Sequence, residues 1–230
     1  MSKLHPSNSS QHLGLIGGLG TAAGIFYYEK LVERHSPLHL TLAHADLPTM
    51  LGALEAQDWD TMAAYLLSLI ESLRLGGATV AAITAVTPHI VIDRVVAGSR
   101  IPLVSVLDAL PKAIQTARLQ RVAVFGTRAT VESRIFGRVP TENFFELDPT
   151  DSEAVYRIYA DVARGALTQA YRDEICGIAG RAIARGANAI ILAGTDLSAL
   201  FRDQEPDFAF LDAARVHIAA IVERLEAPHL

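Results

Sequence analysis

The chain has 230 residues, half of them apolar, and a net charge of -5 from 20 Lys and Arg against 25 Asp and Glu; this is enough apolar material for one large domain or two lobes of roughly 100 residues each. The acidic balance, with arginines scattered among acids, argues against a nucleic-acid partner. No apolar run reaches the ~18 residues of a membrane span, Met1 to His12 hold no signal-peptide core, and the single Cys176 makes neither an internal disulfide nor a Cys-rich zinc site, so a soluble cytoplasmic protein with no membrane partner is expected.

In chain order, residues 1–12 read as a flexible polar tail. An apolar strand is predicted at 13–16, then the glycine cluster Gly17-Gly18-Leu19-Gly20 and a helix over 21–33. There follow a strand at 40–43, a helix at 58–75, a strand at 80–85, a helix at 90–97, a strand at 103–105 and a helix at 107–117. The second half repeats the theme with a strand at 122–125, helices at 153–164 and 172–185, a strand at 189–193 and a closing helix at 212–226. Short apolar runs bounded by glycine and alternating with helical patterns are the mark of βαβ units and a mostly parallel sheet.

The order contains an internal repeat. Leu13-Gly14-Leu15-Ile16-Gly17 matches Val122-Ala123-Val124-Phe125-Gly126, and Gly76-Gly77-Ala78-Thr79 leads into a strand as Arg185-Gly186-Ala187-Asn188 does. The expected fold is therefore α/β, with two similar Rossmann-like lobes related by a pseudo-twofold axis, each a mostly parallel sheet flanked by helices. Residues 13–103 with 210–230 form the first lobe and 104–209 the second. Ligands of open α/β sheets bind beyond the carboxyl ends of strands, which places the site in the cleft between lobes.

The glycine cluster after the first strand could present helix N–H groups to an anion. Gly18, Gly20 and Gly24 miss the dinucleotide spacing by one, so a nucleotide-dependent Rossmann enzyme rests on this cluster and on Asp46 alone, and a plain tight turn explains the same glycines.

Five motifs carry a resemblance. Ile16-Gly17-Gly18-Leu19-Gly20-Thr21-Ala22-Ala23, Ala85-Val86-Thr87-Pro88-His89, Gly126-Thr127-Arg128-Ala129-Thr130-Val131-Glu132-Ser133, Ala193-Gly194-Thr195-Asp196 and Leu211-Asp212-Ala213-Ala214-Arg215-Val216-His217 follow in order along nearly the whole chain. Together they resemble the aspartate/glutamate racemase superfamily, whose chemistry uses two thiols, one on each side of the substrate α-carbon, and no cofactor. By this resemblance the two cysteine positions are Ala85 and Gly194, neither of which can carry a proton. The chain is similar to a divergent member that lacks the two-cysteine racemase chemistry. The resemblance also places Met50 where an aspartate-specific relative has an arginine, and Ala163, next to Arg164, where it has a lysine. A dicarboxylate needs such clamps to offset desolvation, so a less anionic ligand is expected, in a pocket enlarged at Ala85 and Gly194.

The substrate-binding candidates are Gly20, Thr21, Thr87, Thr127, Thr130 and Thr195, whose hydroxyls or backbone donors suit one carboxylate or carbonyl oxygen. Strand-end threonines equally cap turns. The catalytic candidates are His89, Asp196 and Glu132; a loop-bonded histidine, a helix cap and a turn contact are their structural alternatives. His44 and Asp46 rank lower, and His12, His35, His39, His217 and His229 show no metal-ligand spacing, so no metal is expected. Cys176 reads as a packed helix residue. Three functions follow: a cofactor-independent isomerase, cyclase or lyase acting on a small carboxylate or carbonyl compound; a catalytically inactive ligand-binding or regulatory protein; and a nucleotide-dependent enzyme. The resemblance implies a homodimer.

Overall fold

The structure, a computed structural model, describes residues 11–227. Two parallel sheets form the two lobes. The first contains β1 (His12–Gly17), β2 (His39–His44), β3 (Val80–Ile83) and β4 (Leu103–Val104) in the order β2-β1-β3-β4. The second contains β5 (Val122–Phe125), β6 (Ala189–Leu192) and β7 (Phe210–Asp212) in that order. Helices α1 (Thr21–Arg34), α2 (Leu47–Glu55), α3 (Trp59–Leu75), α4 (Ile92–Gly98) and α5 (Val106–Thr116) belong to the first half of the chain. The second half adds α6 (Arg128–Glu132), the single turn α7 (Arg134–Gly137), α8 (Pro149–Ala163), α9 (Gln169–Ala184), α10 (Thr195–Leu200) and α11 (Ala213–Glu226).

The repeat read from the sequence is present in the hydrogen bonding. At the entry to each pair of central strands, a backbone N–H meets a side-chain oxygen 67 residues on: His12 donates to Thr79 Oγ1 and Arg121 to Asn188 Oδ1, both at 2.9 Å. The return bonds match as well, from Thr79 N to His12 O and from Asn188 N to Arg121 O. Each central strand is entered through a left-handed glycine, Gly77 at φ 97° and Gly186 at φ 104°. A side chain there would be strained, which makes these glycines the stops of α3 and α9.

Every residue of β3, β5 and β6 is buried, as expected of parallel strands covered on both faces. One apolar cluster joins Ile16 and Ile83 of the first sheet to Val124 and Ile191 of the second, so the lobes share a core. Complete burial of such side chains contributes roughly 1.5–3 kcal/mol each. A second cluster packs Phe125, Ile190 and Leu192 under α8, α9 and α10, and a third seals β1 beneath α1 and α11.

Three expectations need correction. The tail was expected to run through residue 12, but Gln11 is buried with its Nε2 donating to Arg224 O, and His12 opens β1; residues 1–10 lie outside the described ones. The segment after β2, for which no element is expected from the sequence, is a helix, because Asp46 accepts a hydrogen bond from Thr49 N and Pro48 suits the first turn. Phe210–Asp212, expected in the first lobe, pairs with β6 in the second sheet, and only α11 beyond it packs on α1 and α5. Among the described residues no helix is long and apolar enough to cross a membrane.

Candidate functional site

The carboxyl ends of β1, β3, β5 and β6 converge, and between the lobes they leave a cavity of about 330 Å³. Its wall is mainly apolar. Leu19 contributes from the β1–α1 loop, Leu47, Met50, Leu51 and Leu54 from α2, Ala85 and Pro88 from the turn after β3, and Tyr156, Tyr159, Ala160 and Ala163 from α8. Polar groups are few, as in most small-molecule sites.

Thr87 and Thr127 both line this cavity, and their hydroxyls are 3.2 Å apart across the lobe boundary. Thr130 is buried behind them, with its hydroxyl 2.8 Å from that of Thr127, which also caps α6 by accepting from Thr130 N. The capping alternative therefore holds for Thr127 without removing it from the cavity. Thr195 is not brought into this chain of hydroxyls. It is buried at the start of α10 and its Oγ1 has no hydrogen-bond partner.

Asp196 follows it on α10 and is fully buried. Its Oδ2 accepts from the Tyr159 hydroxyl at 3.1 Å, and its Oδ1 has no hydrogen-bond partner. Burial lifts its carboxyl from 3.8 to about 6, against the smaller lowering effects of the Tyr159 hydroxyl and the backbone N–H groups of Ala23 and of Asp196 itself. Tyr159 is pushed well above the ordinary phenol range by its own burial and by the facing carboxylate. The ring of Tyr159 rests against Gly194, where a Cβ would stand 2.6 Å from Cδ2 and closer still to Cε2. This corrects the expectation of an enlarged pocket at Gly194: the space is filled by an aromatic ring from α8. Ala85, by contrast, is on the cavity wall.

Gly20 lies on the other side of Asp196. A Cβ there would meet Oδ2 at 2.6 Å, and the glycine takes φ 151° as the N-cap of α1. The N-terminal end of α1 thus faces the chain's own carboxyl group, which occupies the place an anionic ligand would take in a phosphate-binding loop. Thr21 points away from the cavity, into a surface depression with Gly17, Gly18, Tyr28 and His44. Asp46 is used as the cap of α2.

His89 is buried and its Nδ1 lies 2.8 Å from Ala85 O, while Nε2 has no partner. Burial chiefly, with the neighbouring His217, lowers it to about 3, so the ring is neutral near pH 7. Its ring packs edge-on against His217, whose nitrogens meet Tyr27 Oη and Val104 O, both at 2.9 Å. His217 in turn is lowered to about 4 by burial. Neither histidine lines the cavity.

Glu132 lies on the exterior, with its side chain 61% exposed and paired to Arg128 at 3.3 Å. Arg128 lines the cavity mouth, bonds both oxygens of Glu153 and covers the Tyr156 ring at 4.5 Å. Arg164 is at the same mouth, but it is 74% exposed and 3.7 Å from Asp161. Both guanidinium groups at the rim therefore have carboxylate partners. Cys176 packs half-buried against the second cluster, away from the cavity, and burial raises its thiol. Among the described residues no group of three or more His, Cys, Asp or Glu is placed to hold a metal.

Sequence reasoning missed Tyr159, Met62 and the α2 leucines. Tyr159 reads as an ordinary helix-core aromatic, and the available signal was the glycine at 194, which leaves room that some large side chain must fill.

A family model for Asp/Glu/hydantoin racemases matches residues 16–221. Among solved structures, a Yersinia pestis protein assigned to the Asp/Glu racemases superposes with a TM-score of 0.80 at 26% identity, covering 94% of this chain and 100% of that one. An aspartate racemase homologue from Pyrococcus horikoshii OT3 gives 0.74 at 22% identity over 94% and 100%. The aspartate racemase of Picrophilus torridus gives 0.78 at 19% identity over 94% of each chain. The last two likenesses speak for the two-lobed fold alone.

Proposed function

Because the chain belongs to the Asp/Glu/hydantoin racemase family, we propose that its interlobe cavity takes a small carboxylate or carbonyl compound with an apolar substituent, and that the protein isomerises, cyclises or eliminates on it without a cofactor and without paired thiols. The observation that carries this reading is the cavity wall itself, with the Thr87 and Thr127 hydroxyls and the Tyr159 phenol set among leucine, methionine, proline and alanine side chains. Two hydroxyls suit one carboxylate or enolate oxygen. An apolar substituent fits against Leu19, Met50 and Met62. A second carboxylate would be desolvated with only the already paired Arg128 and Arg164 in reach, which disfavours aspartate and glutamate. The positions that match the family's thiols hold Ala85 on the wall and Gly194 under the Tyr159 ring, and the one cysteine, Cys176, lies elsewhere.

Thermal unfolding with phenylpyruvate, 4-methyl-2-oxopentanoate and L-aspartate tests this, with products followed by NMR. The two apolar 2-oxo acids should raise the melting temperature and aspartate should not; ligand at 100 times Kd stabilises by about 2.7 kcal/mol. Stabilisation by aspartate, with deuterium entering its α-position from solvent, would defeat the proposal.

A second reading, a ligand-binding or regulatory protein without turnover, is favoured by the enclosure of His89 and Asp196 away from the cavity surface. Binding with no chemical change in any compound of the panel supports it. The nucleotide-dependent alternative is weakened by Asp196, whose carboxyl faces the N-terminal end of α1. A homodimer is part of the proposal, supported by an exposed apolar face of Ile25, Tyr28 and Val32 on α1 beside Leu42 on β2.

A further inference from the structure

The cavity has a proton-bearing group that replaces neither thiol position. Tyr159 reaches the cavity surface from α8, and its hydroxyl is bonded to the buried Asp196 behind it. The ring occupies the space directly over Gly194, so the absence of a side chain at 194 is what lets the phenol sit there. We infer that Tyr159, backed by Asp196, is the catalytic residue that exchanges a proton with the ligand in this cavity, Asp196 acting through it as a positioning residue and proton store. This rests on the ligand-binding reading above.

The step balances without any co-reactant. In the direction that removes a proton, the ligand's C–H bond breaks and its electron pair stays on the ligand as an enolate. The proton goes to the Tyr159 oxygen, while the proton already on that oxygen passes to the Asp196 carboxylate. In the opposite direction the carboxylic acid of Asp196 donates to the phenol oxygen as the phenol O–H gives its proton to carbon, leaving a carboxylate. Tyr159 never has to exist as a free phenolate, which its burial opposes. The carboxyl group can hold either state near neutrality because it is buried; the groups acting on it are the Tyr159 hydroxyl from α8, Ala23 N–H from α1 and its own N–H, with no ionised side chain among them. The stored proton sits on Oδ2, the oxygen already bonded to the phenol, so the same hydrogen bond that delivers it carries it back.

The experiment has two arms on the full chain. In the first, hydrogen exchange at C3 of phenylpyruvate in D2O is followed by NMR for wild type, Tyr159→Phe and Asp196→Asn, with binding measured in parallel. Wild type should exchange above buffer. Both variants should bind within about threefold of wild type and exchange about 100-fold more slowly, in the range for loss of a general acid or base. Asp196→Asn should also lose the limb of the pH profile near 6. Failure of wild type to bind any panel compound defeats the reading of the cavity, whereas binding with full exchange in Tyr159→Phe, or binding with no exchange in wild type, overturns the relay. The second arm needs no ligand. The Asp196 carboxyl, titrated by 13C NMR, should have a midpoint near 6 that rises in Tyr159→Phe, because the phenol donates to the ionised form. A midpoint indifferent to Tyr159 overturns the proposal whatever the first arm gives.

Discussion

The Asp196 carboxyl stands where a side chain at Gly20 would begin, with Oδ2 2.6 Å from the position of a Cβ. This contact between α10 and the mouth of α1 joins the two lobes, and it explains the glycine at 20 without any bound phosphate. Gly20→Ala adds a methyl against a buried carboxyl and puts a side chain at φ 151°. The expected loss is about 2–4 kcal/mol in urea unfolding, from backbone strain and overpacking together. A change below 0.5 kcal/mol would show that the lobes part at this point in solution.

Gly194→Ala should displace the Tyr159 ring and cost about 1–3 kcal/mol by overpacking. Tyr159→Leu in the same chain should recover part of that loss, because the shortened side chain frees the space. A double-mutant cycle measures the coupling, expected between about 0.5 and 3 kcal/mol for residues in contact. Strict additivity would contradict the shared space.

The buried titratable groups pull the pH dependence of stability in opposite directions. Asp196 holds its proton up to about 6 when folded, against 3.8 ordinarily, so the folded state carries the extra proton between those values and stability falls as pH rises through them. Relative to its offset from wild type below pH 3, Asp196→Asn should gain on wild type as pH rises through the window from 3.8 to about 6, by about 3 kcal/mol at most. His89 and His217, lowered to about 3 and about 4 from 6.5, act the other way. Their stabilisation is present above pH 6.5 and is lost as pH falls toward their folded values, because the unfolded chain takes up the protons. His89→Gln should therefore lose less stability than wild type between pH 6.5 and 4 in chemical denaturation at stepped pH.

Thr87→Val removes one of the two facing hydroxyls at the lobe boundary. Its expected effect is a loss of about 1 kcal/mol of ligand affinity, roughly five- to tenfold in Kd, with little change in folding. Thr127→Val should lower both, since this hydroxyl also caps α6, for about 1 kcal/mol of stability. Calorimetric titration with phenylpyruvate beside denaturant melts separates the two effects.

Tyr28→Glu places a charge on the apolar face of α1. Light scattering should report a dimer for the wild type and a monomer for the variant; an equal mass for the two would place any interface elsewhere.

Much of the architecture was readable from the sequence because parallel strands buried on both faces are continuous apolar runs. β5 has the predicted bounds, and β1, β3 and β6 differ by one or two residues at their ends. The helix α2 was missed because Leu47-Pro48-Thr49 carries turn residues, although Asp46 followed by proline is also a helix start. The three-residue β7 is too short to show a period. Of the candidate site, Thr87 and Thr127 are the two hydroxyl residues that line the cavity. Burial decided the rest: strand-end position alone does not separate Glu132, which is left in solvent, from His89, which is sealed in the core. Tyr159 depends on α8 crossing over Gly194, a contact between distant parts of the chain that no local pattern encodes.

The two halves repeat each other in hydrogen bonding but not in what they offer the cavity, since Ala85 comes from the first lobe and Tyr159 from the second. A flat enolate lying between a methyl group and a phenol would be reprotonated from the phenol side alone. The product would then be a single enantiomer, so a scaffold of two similar halves would act on one face of its ligand only, with one methyl group on one side and one aromatic ring on the other.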